Sequence, residues 1–175
     1  MARVFFTSDL HFGHKNLIEG LRKMTIEESD KLIISNWNKV VTKKDIVYIL
    51  GDITMEKPQL IEQYLTQLKG EIRIIGGNHD DIRCCKIFQK LNIPVMGVLN
   101  YKGFICTHIP IHPSQIEHSR GNIHGHIHLS GDIESLGRYN PSKIEGKYYN
   151  VNTEFHNYTP VLFSDIVNHF ESLNK

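Results

Sequence analysis

The sequence predicts an α/β fold in which two β-sheets pack together with helices outside. Three observations predict it. The first half alternates short β-branched runs with amphipathic stretches in the order β-α-β-α-β, which argues for parallel strands joined by right-handed crossovers. The second half carries short strand-like runs without long helices between them, as in an antiparallel or mixed sheet. Three strands of the first half end in polar residues, and in parallel sheets ligands gather at the carboxyl ends of strands.

Arg3 to Thr7 reads as the first strand, ending in Ser8-Asp9-Leu10-His11-Phe12-Gly13-His14. Asn16 to Lys23 reads as a short helix. Glu27 to Val41 reads as a longer one, with Ile26, Leu32, Ile33, Trp37 and Val40 near helical spacing as core positions. Asp45 to Leu50 is a second buried strand and ends in Gly51-Asp52. Pro58 to Leu68 reads as a helix with proline in its first turn. Glu71 to Ile75 is a third strand, followed by Gly76-Gly77-Asn78-His79-Asp80, and Asp81 to Leu91 follows as helix, with Asp80 or Asp81 able to cap it. Further on, Val95 to Leu99, Phe104 to Thr107, Gly121 to His128 and Lys147 to Val151 read as strands. Ser130 to Gly146 reads as a polar loop and Ser164 to Leu173 as a closing amphipathic helix.

At 175 residues without repeat or linker, the chain is expected to form one domain over residues 1–175, large enough to bury a core without disulfides. Net charge is +1, so no global field favours nucleic acid or an anionic membrane. No run approaches the roughly 18 apolar residues of a membrane span, and Met1 to Phe6 is too short an apolar run for a signal peptide. Cys84, Cys85 and Cys106 lack CxxC spacing and are expected to be reduced thiols in a cytoplasmic protein. Histidine is the outlier, with 11 in the chain and several of them clustered.

The polar groups at the predicted strand ends are Asp9, His11, Asp52, Asn78, His108, His126 and His128. This oxygen-and-imidazole set without thiolate suits manganese, iron, nickel or zinc better than a structural zinc-thiolate site. Seven ligands are too many for one catalytic metal. They suit two metals sharing a carboxylate, the clamp of about 3.5–4 Å used for in-line phosphoryl transfer. Asp9 and His11 are two apart, as are His126 and His128, so each pair points one way if the backbone is extended. Gly51 and Gly125 remove side chains where other groups come close. Each motif alone is a weak signal. Together, one at each strand end, they are hard to explain as buried structural polar groups, whose desolvation would be costly.

In order, Asp9-x-His11, Gly51-Asp52, Gly77-Asn78-His79-Asp80, Thr107-His108 and Gly125-His126-x-His128 resemble the calcineurin-like metallophosphoesterase superfamily. Asp9-Leu10-His11-Phe12-Gly13-His14-Lys15-Asn16 resembles its small bacterial and phage phosphoesterases. The resemblance implies a four-layer αββα sandwich of two mixed sheets, with two divalent ions at one edge. Manganese is the first choice of ion, with iron, nickel or zinc as alternatives. It matches Asp9, His11 and His128 to one ion, Asn78, His108 and His126 to the other, and Asp52 to both. The catalytic candidates are His79, the proton donor to the leaving group, and its neighbour Asp80. Met55 and Glu56 stand where phosphoprotein phosphatases carry Asp-Arg, and Asp80 stands where they carry Glu, which counts against that branch and leaves the partner that orients His79 open.

The expected activity is metal-dependent hydrolysis of a phosphodiester or phosphomonoester of a nucleotide or other small molecule, by a metal-activated hydroxide with His79 as general acid. His14 and Asn16 are candidate phosphate contacts. A nuclease acting on RNA or DNA and a metal-free binding scaffold are the alternatives. Near-zero net charge weakens the first and the intact ligand set weakens the second.

Overall fold

The computed structural model describes residues 2–54, 58–129 and 147–173. Residues Met55 and Glu56 and the segment 130–146, read from the sequence as a polar loop, lie outside the described residues.

Strands β1 (Val4–Thr7), β2 (Ile46–Ile49), β3 (Glu71–Ile75) and β4 (Val95–Met96) run parallel, and β9 (Val161–Leu162) closes the other edge of that sheet antiparallel to β1. The second sheet has the order β5 (Leu99–Tyr101), β6 (Phe104–Cys106), β7 (Gly121–His124) and β8 (Tyr148–Asn150). Its β5–β6 pair is antiparallel, whereas β6–β7 and β7–β8 are parallel. Both sheets are therefore mixed, as expected. The chain leaves the first sheet after Met96 and enters the second at Leu99, so the single run expected over Val95 to Leu99 is divided between them.

Alternation along the strands builds two cores. Phe5, Val47, Ile49, Ile72 and Ile74 face Ile33 and Trp37 of α2 (Ile26–Val40), Ile61 and Leu65 of α3 (Pro58–Leu65) and Cys84 and Phe88 of α4 (Ile82–Lys90). Phe6, Tyr48 and Ile75, on the opposite face, join Phe104, Cys106 and Ile123 of the second sheet and Ile166 and Phe170 of α5 (Phe163–Ser172). The start of α2 is a local decision: Thr25 accepts the N–H of Glu28 while Glu28 accepts that of Thr25, a complete capping box. Asp81 caps α4, accepting from the N–H groups of Arg83 and Cys84. The expected helix after His14 is instead one α turn, α1 (Lys15–Leu17), widened into a π turn over Ile18–Arg22.

Register positions the site. Thr7 pairs with Ile49, and Ile49 with Ile74, so the carboxyl ends of β1, β2 and β3 lie in one row. The ends of β6, β7 and β8 form a second row. The rows meet where Ser8 N–H donates to Val151 O at 3.1 Å. β7 stops at His124 rather than His128, because Gly125 N–H bonds His108 O and His126 turns to φ +68°.

Candidate metal centre

The loops leaving these strands converge. Oxygen and nitrogen atoms of Asp9, His11 and His128 lie within 4.8 Å of one another, as do those of Asp52, His108 and His126. Asn78 joins the second group, its Oδ1 lying 2.9 Å from His108 Nε2. All seven residues singled out from the sequence thus come together.

The backbone achieves this differently from the extended geometry expected. Asp9 (φ +55°), His11 (φ +47°), Asp52 (φ +55°) and His126 (φ +68°) are all left-handed. Such a conformation costs on the order of 1–3 kcal/mol per non-glycine residue and clusters at functional sites. It folds each loop back so that side chains beyond a strand end turn inward. Glycines let the loops touch. A Cβ on Gly77 would overlap Asp52 Oδ1 and lie 2.5 Å from the Asp52 nitrogen, and one on Gly125 would overlap Ser8 Oγ.

Hydrogen bonding leaves one face of each group aimed inward. Asp9 Oδ2 accepts from Ser8 Oγ at 2.5 Å and from His126 N–H at 2.9 Å, while its Oδ1 has no hydrogen-bond partner among the described residues. That Oδ1 lies 3.9 Å from His11 Nε2, also without a hydrogen bond, and 3.7 Å from His128 Nε2. The Nδ1–H of His108 donates to Leu50 O at 2.7 Å, and that of His128 donates to Glu154 Oε1 at 2.9 Å. Both tautomers therefore present an Nε2 lone pair to the centre. Asp52 Oδ1 accepts from His79 N–H at 3.0 Å. Asp52 Oδ2 lies 3.7 Å from His11 Nε2 and 3.3 Å from His108 Nε2, and so faces both groups.

Burial and charge shape the protonation of the centre. Burial pushes the Asp9 carboxyl up to about 6 against the pull of neighbouring histidines. Burial pushes His11 down to about 3, which keeps its ring neutral. Burial also raises Asp52, but the hydrogen bond and charge of His108, the His79 N–H and His11 outweigh it and hold that carboxyl at about 2. Buried oxygen and nitrogen atoms that face one another at 3.3–3.9 Å, with Asp9 Oδ1 and His11 Nε2 lacking hydrogen bonds among the described residues, are what a cation would satisfy, so these residues fit a pair of divalent ions.

His79 overhangs the centre. Its ring is 39% exposed, and its Nε2 lies 3.9 Å from Asp52 Oδ2. Asp80 turns away from that ring: its carboxylate accepts the N–H groups of Asp52 (2.9 Å), Ile53 (3.2 Å) and Gly77 (2.9 Å), binding the loop after β2 to the loop after β3. His14 packs its ring 5.3 Å from that of His11, and Asn16 is exposed on α1. Arg83 is held by Asp81, and Arg120 lies over the Phe104 ring, so both are engaged locally. Two residues escaped the sequence reading. Glu154, in a short 3-10 turn (Thr153–His156), supports His128, and Arg22 supports Glu154 from 132 positions away. No periodic pattern marks such a pair.

Calcineurin-like phosphoesterases match this chain over residues 2–173. The chain belongs to that family. An uncharacterized protein of Methanocaldococcus jannaschii, MJ1445, is 35% identical over 173 residues, covering 95% of this chain and 90% of the relative. The gene 66 protein of Mycobacterium phage L5 is 42% identical over 85 residues, which span 46% of this chain and 41% of the phage protein. Among solved structures, the protein of unknown function AQ665 from Aquifex aeolicus superposes with a TM-score of 0.74 at 23% identity, covering 96% of this chain and 99% of that one. The family and the shared architecture agree with the two-sheet sandwich described above. No helix among the described residues is long and apolar enough to cross a membrane.

Proposed function

We propose that this chain is a dinuclear metal-dependent phosphoesterase that hydrolyses a phosphodiester of a nucleotide or another small molecule, with phosphomonoesters as the second substrate class. The observation that carries this reading is the position of Asp52 Oδ2, within 4 Å of imidazole nitrogens from both groups. One oxygen shared by two clusters is the arrangement of a bridging carboxylate. Asp9, His11 and His128 would hold one ion, Asn78, His108 and His126 the other. Manganese is the first choice for this mixed oxygen-and-imidazole donor set, with iron, nickel or zinc as alternatives. Ions held there would supply charge for the phosphoryl oxygens and lower the pKa of water toward neutrality.

The chain's own groups do the rest. His79, exposed on one side and facing the centre on the other, donates a proton from its imidazole to the leaving oxygen. His14 and Asn16 border the phosphate. Asp80 acts through Asp52, by fixing the amides around it, and is a positioning residue in this reading. Free Cys84, Cys85 and Cys106 suit a reducing, cytoplasmic compartment.

The test is hydrolysis of bis-p-nitrophenyl phosphate beside p-nitrophenyl phosphate, after chelation and re-addition of manganese, nickel, zinc or magnesium. Metal-dependent cleavage of the diester supports the reading. Cleavage of the monoester alone moves the substrate to the second class. Protein that binds no metal and cleaves neither overturns the reading.

A further inference from the structure

Outside the candidate ligands, the described interior holds an ion pair that stability does not call for. The side chains of Arg22 and Glu154 are 0% and 1% exposed, with Nε 3.1 Å from Oε1. Desolvating two charges offsets most of their attraction, so an apolar pair of similar shape would stabilise the fold as well. The contacts of this pair are specific. Arg22 donates from Nη2 to Asp9 O at 2.7 Å, and from Nη1 to Leu10 O at 2.9 Å and Ser29 Oγ at 3.3 Å. Glu154 accepts the His128 Nδ1–H at 2.9 Å and the Leu129 N–H at 3.2 Å. Its own N–H is held by Asn152 Oδ1 at 3.0 Å.

We infer that Arg22 and Glu154 form a clasp that assembles the Asp9–His11–His128 group and sets its affinity for a metal ion separately from that of the Asp52–His108–His126 group. The inference rests on the two-ion reading above. Both carbonyls gripped by Arg22 lie in the Asp9–His11 turn, where residues 9 and 11 are left-handed and need outside support. The guanidinium reaches them from the last residue of the Ile18–Arg22 π turn, which Lys23 terminates in the left-handed region. π turns of this kind are frequent at functional sites. Glu154 sets both the tautomer and the direction of His128, the ligand contributed from the other sheet. The Asp52 group has its own supports, Asp80 on the amides around Asp52 and Leu50 O on His108. None of these touches Glu154, whose side chain reaches a ligand of one group alone, His128, so a change at Glu154 should act on that ion far more than on the other.

Cobalt(II) titration of the dialysed full chain tests this, read as bound equivalents and as visible d–d absorption. Wild-type protein should take up two equivalents, and His128→Ala and His126→Ala label which phase belongs to which group. Glu154→Gln should keep the His126-dependent equivalent at wild-type affinity. It should bind the His128-dependent one about 10–100-fold more weakly, with an altered absorption band. If Glu154→Gln alone fails to fold, as judged by its thermal transition, Arg22→Met/Glu154→Gln removes both buried charges and should show the same selective loss. Two equivalents at wild-type affinity in the folded variant, or equal weakening of both, would overturn the clasp. Fewer than two equivalents in wild-type protein would overturn the two-ion reading instead.

Discussion

Nε2 of His108 lies 3.3 Å from Oδ2 of Asp52, a contact that crosses from the end of β6 in one sheet to the end of β2 in the other. Because the same Oδ2 is 3.7 Å from His11 Nε2, Asp52 is common to both groups, whereas His108 belongs to one. Asp52→Ala should therefore lose both ions and His108→Ala only one, as read by elemental analysis after gel filtration. Retention of two ions by Asp52→Ala would remove its bridging role.

His79→Ala should leave metal content and thermal stability near wild type, since the ring is 39% exposed and its side-chain contacts are the edge of His11 and a 3.9 Å approach to Asp52 rather than the apolar cores. Turnover should fall about 10²–10⁴-fold, the usual worth of a positioned proton donor. The loss should shrink with a p-nitrophenolate leaving group and grow with an alkoxide, which needs the proton more. An equal loss for both leaving groups would rule out proton donation.

Asp80→Ala should act on structure before chemistry. It strips the acceptor from three backbone N–H groups, those of Asp52, Ile53 and Gly77. Leaving buried donors unmade costs about 1–3 kcal/mol. Denaturant unfolding of the chelated protein should show that loss. A variant with unchanged stability and lowered turnover would instead make Asp80 a direct participant.

Gly77→Ala should misplace Asp52. The new Cβ would overlap Oδ1 of Asp52 and lie 2.5 Å from its nitrogen, and backbone cannot rotate aside as a side-chain tip can. Overpacking of this kind costs about 1–3 kcal/mol. Metal retention should fall together with melting temperature, which differential scanning calorimetry with and without manganese would resolve.

Asp45 sets an acid limit on stability far from the centre. The Arg3 guanidinium, the N–H groups of Thr42 and Arg3 and the Thr42 hydroxyl hold its carboxyl well below the usual range, against the upward push of burial. A depressed carboxyl contributes stability that is fully present above its unfolded value of about 4 and is lost as pH falls toward the folded value. Melting temperature of wild-type protein should drop below about pH 4 more steeply than that of Asp45→Asn. Parallel acid limbs would show that Asp45 carries none of it.

Legibility in the sequence followed the range of each signal. The β-branched runs of β1, β2 and β3 and the stripe of α2 were readable, because burial on one face of a strand or helix repeats with a local period. Strand β9, two residues long, was not: it exists because β1 offers it an edge, and two residues carry no period. Strand β7 is shorter than its pattern predicts, since the pattern over Gly121 to His128 persists in the sequence while the backbone turns at Gly125. The spacing of Asp9 and His11 pointed to convergence, yet convergence comes from two left-handed residues rather than from strand geometry.

What the sequence by itself determined is the inventory of chemistry and its order. Seven oxygen and imidazole donors without thiolate, each just past a run able to form a strand, follow from residue type and local pattern alone. What only the tertiary structure decided is how closely the donors approach one another, which oxygen faces both groups, that Asp80 turns to backbone amides rather than to His79, and that Arg22 meets Glu154. These are relations across sheets and loops, over separations as long as 132 residues. The chemistry of a side chain is intrinsic to the residue, but its direction depends on register, backbone handedness and neighbours that the folded chain alone supplies.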